Sequence, residues 1–396
     1  MSENFRFVHL EHKNKRILSD TSDFGIKAAE KVRNFHKSFP EYSVTPLVKL
    51  DSLAEKLGVS KIFVKDESYR FGLNAFKVLG GSYAIGSLIA EKLGTDISAL
   101  PYEKMISKET KARLGEITFV TATDGNHGRG VAWTANRLGQ KSVVFMPAGT
   151  APERLENIKK LGSDASITDL TYDDDVRLAN ECSEKYGWLT VQDTSWDGYE
   201  TVPFHIMQGY TTMALEAFEQ LGDVKPTHIF LQAGVGSMAG AVCAFFADVY
   251  KDEERPIITV LEPNAADCLF ATAQANDGKL HFAEGKMDSM MAGLCCGEPC
   301  RLAWDILKDH ADNFVAAPEH IAPAGMRALG KPCGTDKKVI SGESGASTTG
   351  LVVEALQNES LKWLRDALKL NKNSVILCFS TEGDTDKENY RRIMEE

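Results

Sequence analysis

No run of more than two adjacent Lys or Arg occurs in the 396-residue chain, and 45 basic against 56 acidic residues leave a net charge of −11. Nucleic acids and anionic membranes are held by concentrated basic surface, so neither is expected as a partner. Cysteine is scarce as well. Its eight residues show no paired C-x-x-C spacing and are too few for a disulfide scaffold at this length. With 13 Pro and 32 Gly, the chain is too poor in both to be fibrous or disordered. The opening Met-Ser-Glu-Asn-Phe-Arg has no apolar run, which excludes a secretory signal there and leads us to expect a cytoplasmic protein. The longest uncharged stretch, Ile229 to Ala247, could cross a bilayer by count alone. Gln232, Ser237 and three glycines interrupt it, and it reads as strand, turn and buried helix.

An apolar fraction of 43% is enough for a large core. Short β-rich runs recur at 61–65, 117–121, 142–146, 165–168, 228–231, 257–261 and 374–379, separated by helical patterns such as 152–161, 172–186, 208–221 and 350–370. Such alternation predicts an α/β protein with open parallel sheets. Two groups of elements follow one another without a linker. The expected division is a large domain of 1–85 with 200–396 and a small inserted α/β domain of 86–199, with a ligand in the cleft between them.

Four segments carry chemistry. Lys77, after Phe76 at the start of a predicted helix, faces the positive end of the helix dipole, which favours the neutral amine that imine formation needs. The same position also suits an ordinary surface lysine. Thr121-Ala-Thr-Asp124-Gly-Asn126-His127-Gly128 lies between a strand and a helix, where small residues expose backbone N–H groups to an anion. A carboxylate is out of place in an anion cradle, so Asp124 is either a helix cap or a group that handles a proton or a cation. Gln232-Ala-Gly234-Val-Gly236-Ser237-Met238-Ala239-Gly240 is a glycine-rich turn suited to one phosphate. Glu262, about 20 residues beyond, leaves room for a rival dinucleotide reading and an NAD-dependent dehydrogenase. Ser380-Thr381, after the last strong strand, can contact a heteroaromatic nitrogen or cap a turn. Ser341-Gly-Glu343-Ser344-Gly345-Ala346 falls short of a nucleophile elbow, since its last position is Ala and no convincing strand precedes it. Cys295, Cys296 and Cys300 have poor spacing for zinc, and no metal is expected.

In this order the segments resemble the fold-type II pyridoxal-phosphate enzymes, which include serine and threonine dehydratases and tryptophan synthase β. The likeness runs from Thr45-Pro-Leu-Val-Lys-Leu50 to the C-terminus. Within that group it is greatest to the ammonia-lyases of 2,3-diaminopropionate, through 71–77, 123–133, Val191-Gln-Asp193-Thr-Ser-Trp196, 291–294, 340–346 and 380–386. Two departures from the dehydratases bear on substrate. Thr123-Asp124 stands where Ser-Ser is usual, and Lys77 precedes Val-Leu-Gly-Gly rather than an Arg-Gly-Ala run.

The resemblance implies a tryptophan synthase β-like fold and a small amino-acid substrate, with pyridoxal phosphate as cofactor. Lys77 would form its Schiff base, with Phe76 beside it, and would also be the base for the L isomer. Asn126 would bond the ring oxygen. Gly234, Val235, Gly236, Ser237, Met238, Ala239 and Gly240 would cradle the phosphate, and Ser380 or Thr381 would meet the pyridine nitrogen. Asp124 would be the base for the D isomer. Asp193 would attract the substrate amine, and Thr123, Gly125, Asn126, His127 and Glu343 would complete the substrate site. His127 by its own context reads as structural. A homodimer is expected from the scaffold. A serine/threonine-type dehydratase and a non-catalytic binding protein are the remaining alternatives.

Overall fold

The computed structural model of the chain describes residues 4–11, 18–123, 125–251 and 254–396. The strands, in chain order, are β1 (Arg6–His9), β2 (Leu47–Lys49), β3 (Lys61–Asp66), β4 (Thr118–Ala122), β5 (Lys141–Met146), β6 (Asp164–Ile167), β7 (Leu189–Thr190), β8 (His228–Gln232), β9 (Ile257–Pro263), β10 (Asn313–Ala317) and β11 (Val375–Ser380). Two compact units emerge, one of Met1–Ile26, Val44–Ala75 and Met213–Glu396, the other of Lys27–Ser43 and Phe76–Thr212.

Among the described residues, the larger unit holds a seven-stranded sheet in the order β1-β10-β9-β8-β11-β3-β2. Its interior pairings are parallel, whereas β1 runs antiparallel to β10 and β2 antiparallel to β3. The sheet is therefore mixed at both edges rather than parallel throughout. Every residue of β8 and β10 is buried, as expected where both faces of a parallel sheet are covered. β10, Asn-Phe-Val-Ala-Ala, has weak β propensity and gives no signal in the sequence. It is a strand because β9 and β1 flank it.

The smaller unit has a four-stranded parallel sheet in the order β6-β5-β4-β7. Its limits reach beyond 86–199 at both ends because the helix Val78–Lys92 packs in this unit against the helix Asn126–Arg137. The approach is close: a Cβ at Gly130 would stand 2.8 Å from the Val78 Cα, and one at Gly80 2.7 Å from Ile206. The glycines after Lys77, which set this chain apart from the dehydratases, thus have a packing role. The helical pattern at 350–370 is also divided. A helix ends at Gln357, Asn358 caps a 3-10 turn by accepting the Ser360 N–H at 3.0 Å, and a second short helix covers Lys362–Ala367. Among the described residues, no helix is long and apolar enough to cross a membrane.

Candidate active site

The chemistry-bearing residues follow the carboxyl ends of strands, where open α/β sheets place their ligand groups. In the smaller unit Lys77 is the residue just before the helix Val78–Lys92, with φ −60° and ψ −21°. Its Nζ donates to Asp193 Oδ2 at 2.5 Å. Asp193 follows β7 and is 4% exposed at its side chain, against 20% for Lys77. The other carboxylate oxygen, Oδ1, accepts from the Tyr172 hydroxyl at 3.2 Å. His127 Nδ1 lies 3.9 Å from Oδ2, and its Nε2 bonds the Val191 carbonyl at 2.7 Å, fixing the ring against the end of β7. Burial alone would raise the Asp193 carboxyl, but Lys77 and His127 beside it and the hydrogen bonds from Lys77 and Tyr172 hold it well below the usual carboxylate range.

Gln192 ties this pair to the sheet. Its Oε1 accepts from Thr121 Oγ1 at 2.9 Å and the Ala122 N–H at 3.0 Å, while its Nε2 donates to the Tyr172 hydroxyl at 2.8 Å. Its own N–H reaches the Tyr199 hydroxyl at 2.8 Å. Tyr172, Gln192 and Tyr199 were invisible as site residues in the sequence, because Tyr172 reaches Asp193 only through the fold.

Thr123 Oγ1 accepts the N–H groups of Gly125 and Gly128 at 2.9 and 3.2 Å, shaping the turn into the helix. Gly125 is its N-cap and Asn126 its first residue. Asp124 lies outside the described residues. Phe76 packs on Tyr210 with ring centroids 4.8 Å apart.

In the larger unit the glycine turn leads from β8 into the helix Ser237–Val249. Gly236 caps it with φ +99°, a conformation that L side chains rarely adopt. Behind it come Ser237, Met238 and Ala239, whose N–H groups form the first turn, where no earlier helical carbonyl is in reach. The Val235 carbonyl accepts the Cys300 N–H at 2.7 Å. Gly240 departs from expectation: its N–H donates to the Gly236 carbonyl at 2.8 Å, so the anion cradle ends at Ala239. Glu262 is no ribose ligand. It accepts the Leu269 and Phe270 N–H groups at 2.9 and 2.6 Å, anchoring the start of another helix, and burial pushes its carboxyl up to about 8. The dinucleotide reading loses its acid.

At the end of β11 the Ser380 hydroxyl donates to Ser341 Oγ at 2.8 Å, and Thr381 Oγ1 accepts from Gln232 Nε2 at 2.9 Å. Glu343 begins the helix Glu343–Gln357. Ser344, in that helix's first turn, accepts the Gly293 N–H at 3.2 Å and follows no strand, which removes the hydrolase elbow. Burial and the neighbouring Glu382 push the Glu343 carboxyl up to about 7.

Each unit by itself carries groups that fit a part of pyridoxal phosphate. An amine held by a carboxylate suits its aldehyde, a helix start behind a left-handed glycine suits its phosphate, and neutral hydroxyls suit its ring nitrogen.

The comparisons agree with this chemistry. The chain matches the family described as pyridoxal-phosphate dependent enzyme over residues 39–366. It is 48% identical to the diaminopropionate ammonia-lyase of Salmonella typhimurium over 364 residues, 91% of this chain and 90% of that one. To the diaminopropionate ammonia-lyase of Escherichia coli strain K12 it is 47% identical over 385 residues, 96% and 95% of the two chains. The crystal structure of the Escherichia coli enzyme in complex with D-serine superposes with a TM-score of 0.91 at 44% identity, covering 99% of this chain and 97% of that one. The chain belongs to the pyridoxal-phosphate-dependent enzymes and, among them, to the diaminopropionate ammonia-lyase family.

Proposed function

We propose that the chain eliminates ammonia from both isomers of 2,3-diaminopropionate, yielding pyruvate and two ammonia. The observation that carries this reading is the Lys77–Asp193 pair, a reactive-type amine held by a buried carboxylate that stays ionised. Bound pyridoxal phosphate supplies the electron sink for the carbanion. Lys77 holds the cofactor and, once exchanged for the substrate amine, takes the Cα proton of the L isomer. In the D isomer that proton points to the opposite face, so a second base is needed, and Asp124 is assigned to it. As the Cα–H bond breaks, its electron pair forms the Cα–Cβ double bond and the Cβ–N bond breaks. Asp193 favours the protonated form of the departing nitrogen, so that it leaves as neutral ammonia. The released enamine takes up water to give pyruvate and the second ammonia.

Ser237 and the 234–239 backbone are assigned to the phosphate, with Asn126 on the ring oxygen and Ser380 or Thr381 on the ring nitrogen. Thr123, Gly125, His127 and Glu343 are assigned to the substrate side. Relatives named diaminopropionate ammonia-lyase support the substrate. The D-serine complex of one of them supports access for D amino acids and keeps serine elimination as the reading to beat. We further propose a homodimer in the cytoplasm, which a monomeric mass by light scattering would overturn.

The deciding experiment has two arms. The purified protein is expected to be yellow and to lose that absorbance on borohydride reduction, with the label on Lys77. Steady-state rates with D- and L-diaminopropionate should exceed those with D- and L-serine, and Asp124→Asn should remove activity on the D isomer while sparing much of the L activity. Equal loss on both isomers sinks the two-base assignment, and faster serine turnover makes the chain a dehydratase.

A further inference from the structure

The helix Lys387–Glu395 ends the chain in the larger unit, and nothing in the proposed reaction uses it. Its cap, Asp386, accepts the Asn389 N–H at 2.9 Å, which fixes Asn389 in the first turn. From that position Asn389 Nδ2 donates to Glu343 Oε1, on a side chain that is almost wholly buried. The opposite end of the same amide, Oδ1, accepts from the exposed Arg392 through Nη2 at 2.6 Å and Nε at 3.2 Å. The amide therefore has one sensible orientation. Turned over, its oxygen would face a carboxyl oxygen and its NH2 a guanidinium, losing both bonds.

We propose that Asn389 is a positioning residue: oriented by Arg392, it holds the Glu343 carboxyl in place and, by donating to it, favours its ionised form. The consequence for catalysis rests on the assignment of Glu343 to the substrate side. Burial and Glu382, in the turn after β11, disfavour the ionised carboxyl, and Asp386 adds to them. Asn389 acts against all three by donating to the carboxylate. From the helix Ile321–Gly330, Arg327 is engaged on the Ile393 carbonyl at 3.1 Å, and the Tyr390 hydroxyl is turned toward Gly330. The Glu343 backbone N–H and the Asn389 amide thus oppose burial and the two neighbouring acids at this carboxyl.

The test is the stability of the holoenzyme against pH at fixed ionic strength. Because the folded-state value of Glu343, about 7, lies above its ordinary 4.5, the stability it contributes is complete below the ordinary value and is lost as pH rises through the folded one. Asn389→Ala should move that loss upward by about one pH unit, a tenfold change in the acid constant. The variant's deficit in unfolding midpoint should then be larger at pH 8 than at pH 5. Arg392→Gln, at an exposed site that the fold tolerates, should shift the loss in the same direction by less, and high salt should shrink the effect. A deficit of equal size at pH 5 and pH 8 in Asn389→Ala, or no shift in Arg392→Gln if the first variant fails to fold, overturns the proposal. The pH profile of KM for diaminopropionate separates the two claims. A shift in stability without one in KM leaves the relay standing and removes Glu343 from the substrate site.

Discussion

Lys65 and Lys77 both end on a carboxylate, but their surroundings differ in every other respect. Lys65, on β3 of the larger unit, is fully buried, and its ammonium donates to Glu216 Oε2 and Gln220 Oε1, each at 2.8 Å, and to the Thr45 carbonyl at 2.7 Å. All three of its protons have acceptors. Arg70 joins the cluster, bonding Glu67 Oε2 at 2.8 Å and Glu216 Oε2 at 2.7 Å, and the side chains of Lys65, Glu67, Arg70 and Glu216 are inaccessible to solvent. Burial pulls the Lys65 ammonium below its ordinary range, although Glu216 and Glu67 oppose this. Lys77 keeps one-fifth of its side chain exposed, stands at a helix start and has the Asp193 carboxylate at 2.5 Å. A lysine with every donor satisfied inside a sealed cluster can hold a fold together. One that reaches solvent from the edge of a carboxylate can pass a proton to that carboxylate and, as the neutral amine, attack an aldehyde.

That contrast is open to breakage at several points. The largest effect is expected from Lys77→Ala, which should abolish both the visible cofactor absorbance and turnover, with a smaller loss in the unfolding midpoint because Asp193 keeps Tyr172 and His127 beside it. Glu216→Ala should do the reverse. It leaves Lys65 and Arg70 buried without their shared partner, at a cost of about 3–5 kcal/mol in unfolding free energy, with the turnover of the remaining folded enzyme little changed. If Glu216→Ala instead spares stability and reduces kcat, the buried cluster is not merely structural.

A smaller effect is expected from Asp193→Ala, which should lower kcat/KM for diaminopropionate by about a hundredfold and affect residual serine elimination less. Unchanged preference between the two substrates would mean that Asp193 does not read the amine. The carboxyl also predicts a pH effect. Being held below its ordinary value, Asp193 adds stability that is present above that value and is lost as pH falls toward its folded one. Asp193→Asn should therefore flatten the acid limb of the stability curve. The mildest change is Tyr172→Phe, which removes the hydrogen bond to the Asp193 carboxylate, worth about 1.5–3 kcal/mol, and the one that Gln192 Nε2 donates. An approximately tenfold fall in kcat/KM at constant stability would place Tyr172 with the functional pair, whereas a fall in stability alone would place it with the scaffold.

The segments proposed for the site stand out in the sequence because each is a short contiguous stretch at a strand end or a helix start. Lys77 before a helix, Gly236-Ser237 after β8 and Ser380-Thr381 after β11 are coded within a few residues, and the alternation of apolar runs with helical periods gave away their setting. Gly240 was misread because its spacing in the turn resembles a ligand glycine, whereas helix geometry commits its N–H to Gly236. Glu262 misled in the same manner, since its distance along the chain suited a ribose acid and only the fold shows it buried at a helix start.

The sequence by itself determined the chemistry that this protein can offer: the amine, the anion cradle, the hydroxyls and the acids, because residue type and local turn are properties of short segments. Tertiary structure alone decided which of these groups meet. Tyr172 reaches Asp193, 21 residues on, because the helix Tyr172–Tyr186 that it begins packs over β4 and β7, away from the β6 edge. Asn389 reaches Glu343 across 46 residues because the last helix folds back onto the start of another. The charge a carboxyl carries depends on burial and on neighbours within a few ångströms, and those distances exist only once the chain has folded.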